Sequence, residues 1–231
     1  MDSAQQKSQF EDKPRIGAAT SAGLGIALFG LLIVHAVVSQ FYKPFSYLGT
    51  IWGESLNWLL VLALAMIIYR GEGLNLRSVG VGTVRFGKSI LWGIVILILC
   101  IIVGPVVATL VHFKGGETGA ALLRLPVWLA LAVVVRAGVV EELFYRGYAI
   151  ERLESLGLNS YLAGAIPLLI FSLGHAINNW ANVPVALALG AILTTFYLWR
   201  RDLVANMIAH FATDFLFVIL PRFAPHAHHV R

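Results

Sequence analysis

Charge is scarce in this chain: 13% of its 231 residues are Asp, Glu, Lys or Arg, against 58% hydrophobic, with a mean hydropathy of +0.80. A soluble domain carries about twice that charged fraction, so a water-soluble monomer is excluded. Cysteine is almost absent. Cys100 stands alone, which excludes an intramolecular disulfide and a cysteine metal cluster. It lies in the run Ile-Leu-Ile-Leu-Cys-Ile-Ile-Val, so it reads as a buried apolar filler. No internal repeat, low-complexity tract or His-Glu-x-x-His segment occurs. The net charge of +5 forms no basic stripe, so nucleic acid is not the expected partner. The basic residues sit singly or in pairs between apolar runs, as the positive-inside bias of membrane proteins requires.

What is present is a series of apolar runs long enough to span a bilayer, which takes about 20 residues each. They are Ile16–Tyr42, Ile51–Tyr69, Ile90–Val111, Leu123–Ile150, Tyr161–Ile177, Val183–Trp199 and Leu203–Leu220. The expected fold is all-α, a polytopic transmembrane bundle of about seven spans. Alternating these spans puts eleven of the 17 Lys and Arg on one side and five on the other. This predicts a cytoplasmic N-terminus and an external C-terminus. The second run is the weakest, because Glu54 and Asn57 interrupt its start. The expected organisation is a cytoplasmic segment 1–15, N-terminal transmembrane helices 16–122, a core 123–221 and a tail 222–231. The loop Gly71–Val84 could carry a short interfacial segment. His226, His228 and His229 read as a solvated tail.

The informative residues are those that should not be in lipid. A charge at a helix centre costs about 2.5–3.5 kcal/mol on insertion scales. The fourth run contains Val-Val-Glu141-Glu142-Leu-Phe-Tyr-Arg146-Gly. Glu142 and Arg146 are four apart, acid first, the favourable order for an ion pair. Adjacent side chains on a helix point about 100° apart, so Glu141 is left free to face an interior cavity as a candidate general base. Arg136, five residues earlier, lies off that face and needs a partner elsewhere; Asp214 or a substrate carboxylate are candidates, a structural partner the better reading. The fifth run ends in Phe171-x-x-x-His175, and the seventh holds His210-x-x-x-Asp214 on one face. Ionisable groups on three helices are most simply explained by one polar site between them.

These three motifs, in this order on successive spans, resemble the CPBP (Abi) family of intramembrane proteases, the family of the type II CAAX prenyl proteases. The resemblance covers about Val134 to Leu220; the first three spans match nothing of use. It implies a peptidase, an integral protein of a bacterial inner membrane, acting on a membrane-associated protein or peptide that could be prenylated. Glu141 and His175 would activate water. Glu142 and Arg146 would hold the site together, and His210 and Asp214 would steady the oxyanion. The prenyl proteases have Asn at the last position; Asp214 instead would orient His210, which puts a prenylated substrate in question more than the chemistry. Metal stays open. Glu141, His175 and His210 could hold Zn²⁺ with a position left for water, although a carboxylate, a water and two imidazoles suffice without it.

Two other readings keep the same charges. A non-catalytic relative, such as a bacteriocin-immunity or scaffold protein, would use them to stabilise the bundle. A proton-coupled transporter would use them as a relay, but no two matching broken helices occur, as an inverted-repeat transporter would show. One geometric problem accompanies the catalytic reading. With alternating spans, Glu141 lies roughly 24–27 Å below the outer start of its run, while His210 lies only about 10 Å from the inner side. For the two to meet His175, the fourth span must run well past Ile150, or the fifth must start high or tilt, for instance at Pro167.

Overall fold

The computed structural model describes residues 17–112, 117–177 and 179–223. The N-terminal segment and the tail histidines lie outside them. Among the described residues every regular element is helical. Six helices are long and apolar enough to cross a membrane. α1 spans Ala18–Phe41, and α2 spans Tyr47–Met66 and continues through a π turn, Ile67–Gly71. α3 spans Phe86–Leu110, and α4 is the short Glu117–Arg124. α5 (Val127–Arg136), a π-helical stretch (Ala137–Tyr148) and α6 (Ala149–Ser155) join into one central helix of 29 residues. α7 is Ser160–Gly174 with a 3₁₀ turn, His175–Ile177; α8 is Asn182–Arg200. α9 is Leu203–Asp214, prolonged by a π turn and a 3₁₀ turn to Phe223.

The six apolar helices bury only 17–33% of their most apolar stretches inside the protein. Leu, Ile and Phe cover their outer faces, which suits a lipid solvent and an integral membrane protein. The central helix is the opposite case. Every residue from Glu142 to Ile150 is buried, and among the described residues it carries three of the four buried charges, Glu142, Arg146 and Arg152. It is long enough to span, at about 40 Å, and is set apart from the other six by its charges, Arg136, Glu141, Glu142 and Arg146. Its neighbours supply the apolar coat instead. Close approach is bought with glycine: a Cβ on Gly138 would lie 2.9 Å from the Phe211 backbone nitrogen on α9, so a side chain there would push the two helices apart.

The central helix starts and ends later than the apolar run Leu123–Ile150 suggested. The run breaks at Leu125–Pro126, because a residue before proline is pushed out of the helical region and proline has no N–H to donate. The central helix starts at Val127 and runs five residues past Ile150. That extension answers the height problem. Glu141 is then about 21 Å from the Ser155 end, and His175 is about 22 Å from the start of α7. α9 begins above that end, level with Gly147, against which Leu203 packs.

The loop after α2 is tucked in rather than laid on the surface. Its 3₁₀ turn, Leu76–Val79, buries Val79 completely, and the Leu203 amide donates to Gly80 O at 3.1 Å. Glu72 accepts from Arg152, Tyr148 and Thr20, while Arg152 also donates to Ser78. This cluster ties the ends of α1, α2 and the central helix together and fixes the register of the site above it.

Candidate functional site

Glu141 and Glu142 point to different neighbours, as adjacent helical residues must. Glu142 is fully buried and faces α8 and α9. Its Oε1 accepts from Arg146 at 2.9 Å and from His210 Nδ1 at 2.8 Å, and its Oε2 from Asn206 at 3.2 Å. Arg146, 1% exposed, also donates to Gly190 O at 3.3 Å and lies over the Phe171 ring at 4.5 Å. A buried charge is tolerated when paired and hydrogen-bonded, and both conditions hold here. Gly190 leaves room for the guanidinium: a Cβ there would sit 3.0 Å from its nitrogen.

Glu141 faces a cavity of about 330 Å³ between α1, α2, the central helix, the end of α7, and α9. Glu54, Arg136, His175, His210 and Asp214 line the same cavity, with His35 on its α1 wall. Glu142 and Arg146 sit behind the wall. The six side chains expected from sequence thus form two layers joined by His210. Its Nδ1 is bound to Glu142, and its Nε2 faces the cavity, 4.0 Å from Glu141 Oε2 and 3.7 Å from Asp214 Oδ2. It is Glu142, not Asp214, that hydrogen-bonds His210 and sets its ring.

His175 caps the end of α7, and its Nδ1 is 2.9 Å from Phe171 O. A carbonyl only accepts, so a proton is on Nδ1, and Nε2 is the ring nitrogen left uncommitted. Phe171 packs edge-on against His175 at 4.7 Å and against His210 at 6.4 Å. One aromatic ring therefore spaces both imidazoles and covers Arg146.

Arg136 does not lie off the Glu141 face. It donates to Glu141 Oε1 at 2.5 Å and to Glu54 Oε1 at 3.2 Å. Five residues are about 140° apart around an α-helix, which would separate the two. The backbone from Ala137 is π-helical, with bonds from i to i+5, and this wider turn brings the residues onto one side. Glu141 is therefore paired, with Oε2 left free of the guanidinium. Glu54 completes the bridge from α2. The sequence showed it only as an interruption of an apolar run. An acid and a base, each unmatched within its own span, were the available signal. Asn206 is the other residue that pattern reading missed; it lies one turn before His210 on the same face.

Among the described residues no three His, Cys, Asp or Glu side chains converge as metal ligands. The Glu141 carboxylate already holds a cation, and His210 has one ring nitrogen committed to Glu142.

Residues 123–216 match the family model described as type II CAAX prenyl endopeptidase Rce1-like. The resemblance read from the motifs is borne out over the segment that carries them. No curated protein and no solved structure matches the chain. Glu54 and His35 lie outside the matched segment, so α1 and α2 add walls and a charge partner that the family match does not describe.

Proposed function

We propose that this membrane protein is an intramembrane endopeptidase in which Glu141 and His175 activate a water held in the cavity. The observation that carries the reading is the convergence of the Glu141 carboxylate and two imidazoles from three helices on one cavity. Glu141 Oε2 takes the proton from water as the oxygen attacks the scissile carbonyl, and His175 Nε2 accepts the second hydrogen bond. His210 is the donor toward the carbonyl oxygen. A proton on its Nε2 is attracted by two carboxylates, Glu141 and Asp214, and its ring is anchored from behind by Glu142. Donors fixed before the reaction in a water-poor site stabilise the developing oxyanion far better than mobile ones. The proton on Glu141 then passes to the leaving amine.

Arg136 and Glu54 are positioning residues on this reading. They fix Oε1, so that Oε2 alone is turned to the cavity. The catalytic route uses no metal. The substrate class is a membrane-associated peptide or protein; a prenylated CAAX end is what the family match supports. The central helix serves as the fourth of seven crossings, with the N-terminus cytoplasmic.

One observation favours a non-catalytic bundle instead: the closed Glu54–Arg136–Glu141 bridge would also stabilise a scaffold. Membrane fractions from cells carrying the wild type or Glu141→Gln separate the two. New protein C-termini present only with the wild type support the peptidase. Identical sets of C-termini, with the protein's cellular role intact in the variant, would leave the scaffold.

A further inference from the structure

The outer edge between α3 and α8 carries a second constellation, unconnected with the cavity, whose walls include no residue of either helix. Arg85, Lys88 and Trp92 follow one another at i, i+3 and i+7 along the start of α3, so they share a face. Opposite them, the end of α8 presents Phe196, Trp199 and Arg200. Trp92 packs on Trp199 at 5.2 Å and on Phe196 at 6.0 Å. The Arg200 guanidinium lies over both indoles, 4.9 Å from Trp92 and 5.1 Å from Trp199. Its Nε is buried and donates to no protein group. Trp199 is 61% exposed on the lipid side, and Arg85 and Lys88 are exposed.

The charges are not cancelled locally. Among the described residues, Arg85, Lys88 and Arg200 form no ion pair, whereas the adjacent Arg201 is held by Glu151 and Glu154. The nearby acid is Asp202. It is buried, accepts from Ser89 Oγ at 3.0 Å and caps α9 through the Ala205 amide. Three cations stand against one committed carboxylate, at the level where two spans end. Tryptophan is the residue of that level of the bilayer, and basic pockets between spanning helices hold acidic headgroups.

We propose that this edge binds an anionic phospholipid. Arg200 and Lys88 engage the headgroup phosphate, Arg85 closes the rim, and the indoles lie along the glycerol and upper acyl chain. The two tryptophans hold the guanidinium in place before the lipid arrives, which lowers the ordering cost of binding. Each basic side chain near the membrane surface is worth roughly fivefold in lipid preference.

The test uses the full chain in phosphatidylcholine vesicles doped with a small fraction of lipid brominated in its upper acyl chain. Quenching of tryptophan fluorescence by brominated phosphatidylglycerol is compared with that by brominated phosphatidylcholine. The wild type is expected to show excess quenching by phosphatidylglycerol. Trp92→Phe with Trp199→Phe should remove the excess, which locates it. Lys88→Gln with Arg200→Gln should bring the two lipids level, and Lys88→Gln alone, an exposed change that leaves the packing intact, should lower the preference by roughly fivefold. Equal quenching by both lipids in the wild type overturns the proposal. So does an excess that survives Lys88→Gln with Arg200→Gln, or one that persists without the two tryptophans.

Discussion

Removing Arg146 is the sharpest structural perturbation available, because its partner cannot follow it into water. Arg146→Ala deletes the 2.9 Å bond to Glu142, the bond to Gly190 O and the cover over Phe171. Glu142 is fully buried and keeps only His210 and Asn206. Breaking a buried pair from one side costs about 3–5 kcal/mol. For a protein of this size that corresponds to a fall in melting midpoint of roughly 6–20 °C. The loss should stand near the lower end if His210 becomes the replacement cation, and His210 would then be drawn away from the cavity, so activity falls with stability. The double change Glu142→Gln with Arg146→Met removes both charges and keeps most of the volume. It should recover most of the midpoint but leave activity reduced, since His210 Nδ1 then meets a neutral amide in place of a carboxylate. The assay is the thermal midpoint and membrane abundance of detergent-solubilised protein. A midpoint for Arg146→Ala within about 1 °C of wild type would show that His210 and Asn206 alone satisfy Glu142, and would refute the assignment of Arg146 as the buried counter-charge.

Glu54→Gln should leave the protein folded and slow cleavage by about 10- to 100-fold, the cost of a slightly misplaced base; in an Arg136→Gln background the same change should add little, and full additivity would show that Glu54 does not act through Arg136. His210→Ala should reduce cleavage by about 100- to 1000-fold, the cost of a lost oxyanion donor, with Asp214→Ala milder; the reverse order in single-turnover rates would transfer the donor role to Asp214. At the membrane edge, burial raises the Glu154 carboxyl, but hydrogen bonds from Arg201 and Ser160 outweigh it and hold it below its ordinary value. The stability this pair adds is therefore present above the ordinary carboxylate pKa of about 4 and fades as pH falls below it; the difference in melting midpoint between wild type and Glu154→Gln should shrink across that range, and a gap that widens on acidification would contradict the pairing.

The six apolar helices were legible because lipid demands unbroken hydrophobic length, and their ends fall within a few residues of the runs. The Glu142–Arg146 contact was legible because its spacing is local. The central helix was read less well for a physical reason. Its limits are set by Pro126 and by the turn after Ser155 rather than by the ends of the apolar run, because neighbouring helices shield its charges. The Arg136–Glu141 contact could not be read from α-helical spacing at all, because it depends on a π register that side-chain pattern does not encode. Glu54 and Arg136 are 82 residues apart. Each was visible as a costly charge, but only packing shows that the two share one site. His210 was assigned to Asp214 because four residues separate them, and the stronger bond, to Glu142, crosses between helices.

The central claim is that Glu141 activates water for peptide hydrolysis, and heavy-oxygen labelling tests it most directly. Membranes containing the wild type or Glu141→Gln at matched abundance would be incubated in water enriched in the heavy oxygen isotope, and newly formed protein C-termini identified by mass spectrometry. The account predicts new C-termini carrying one heavy oxygen with the wild type. With Glu141→Gln these should fall by at least about 100-fold, while the variant retains the wild-type melting midpoint. Labelled C-termini appearing at the wild-type rate with Glu141→Gln would contradict it.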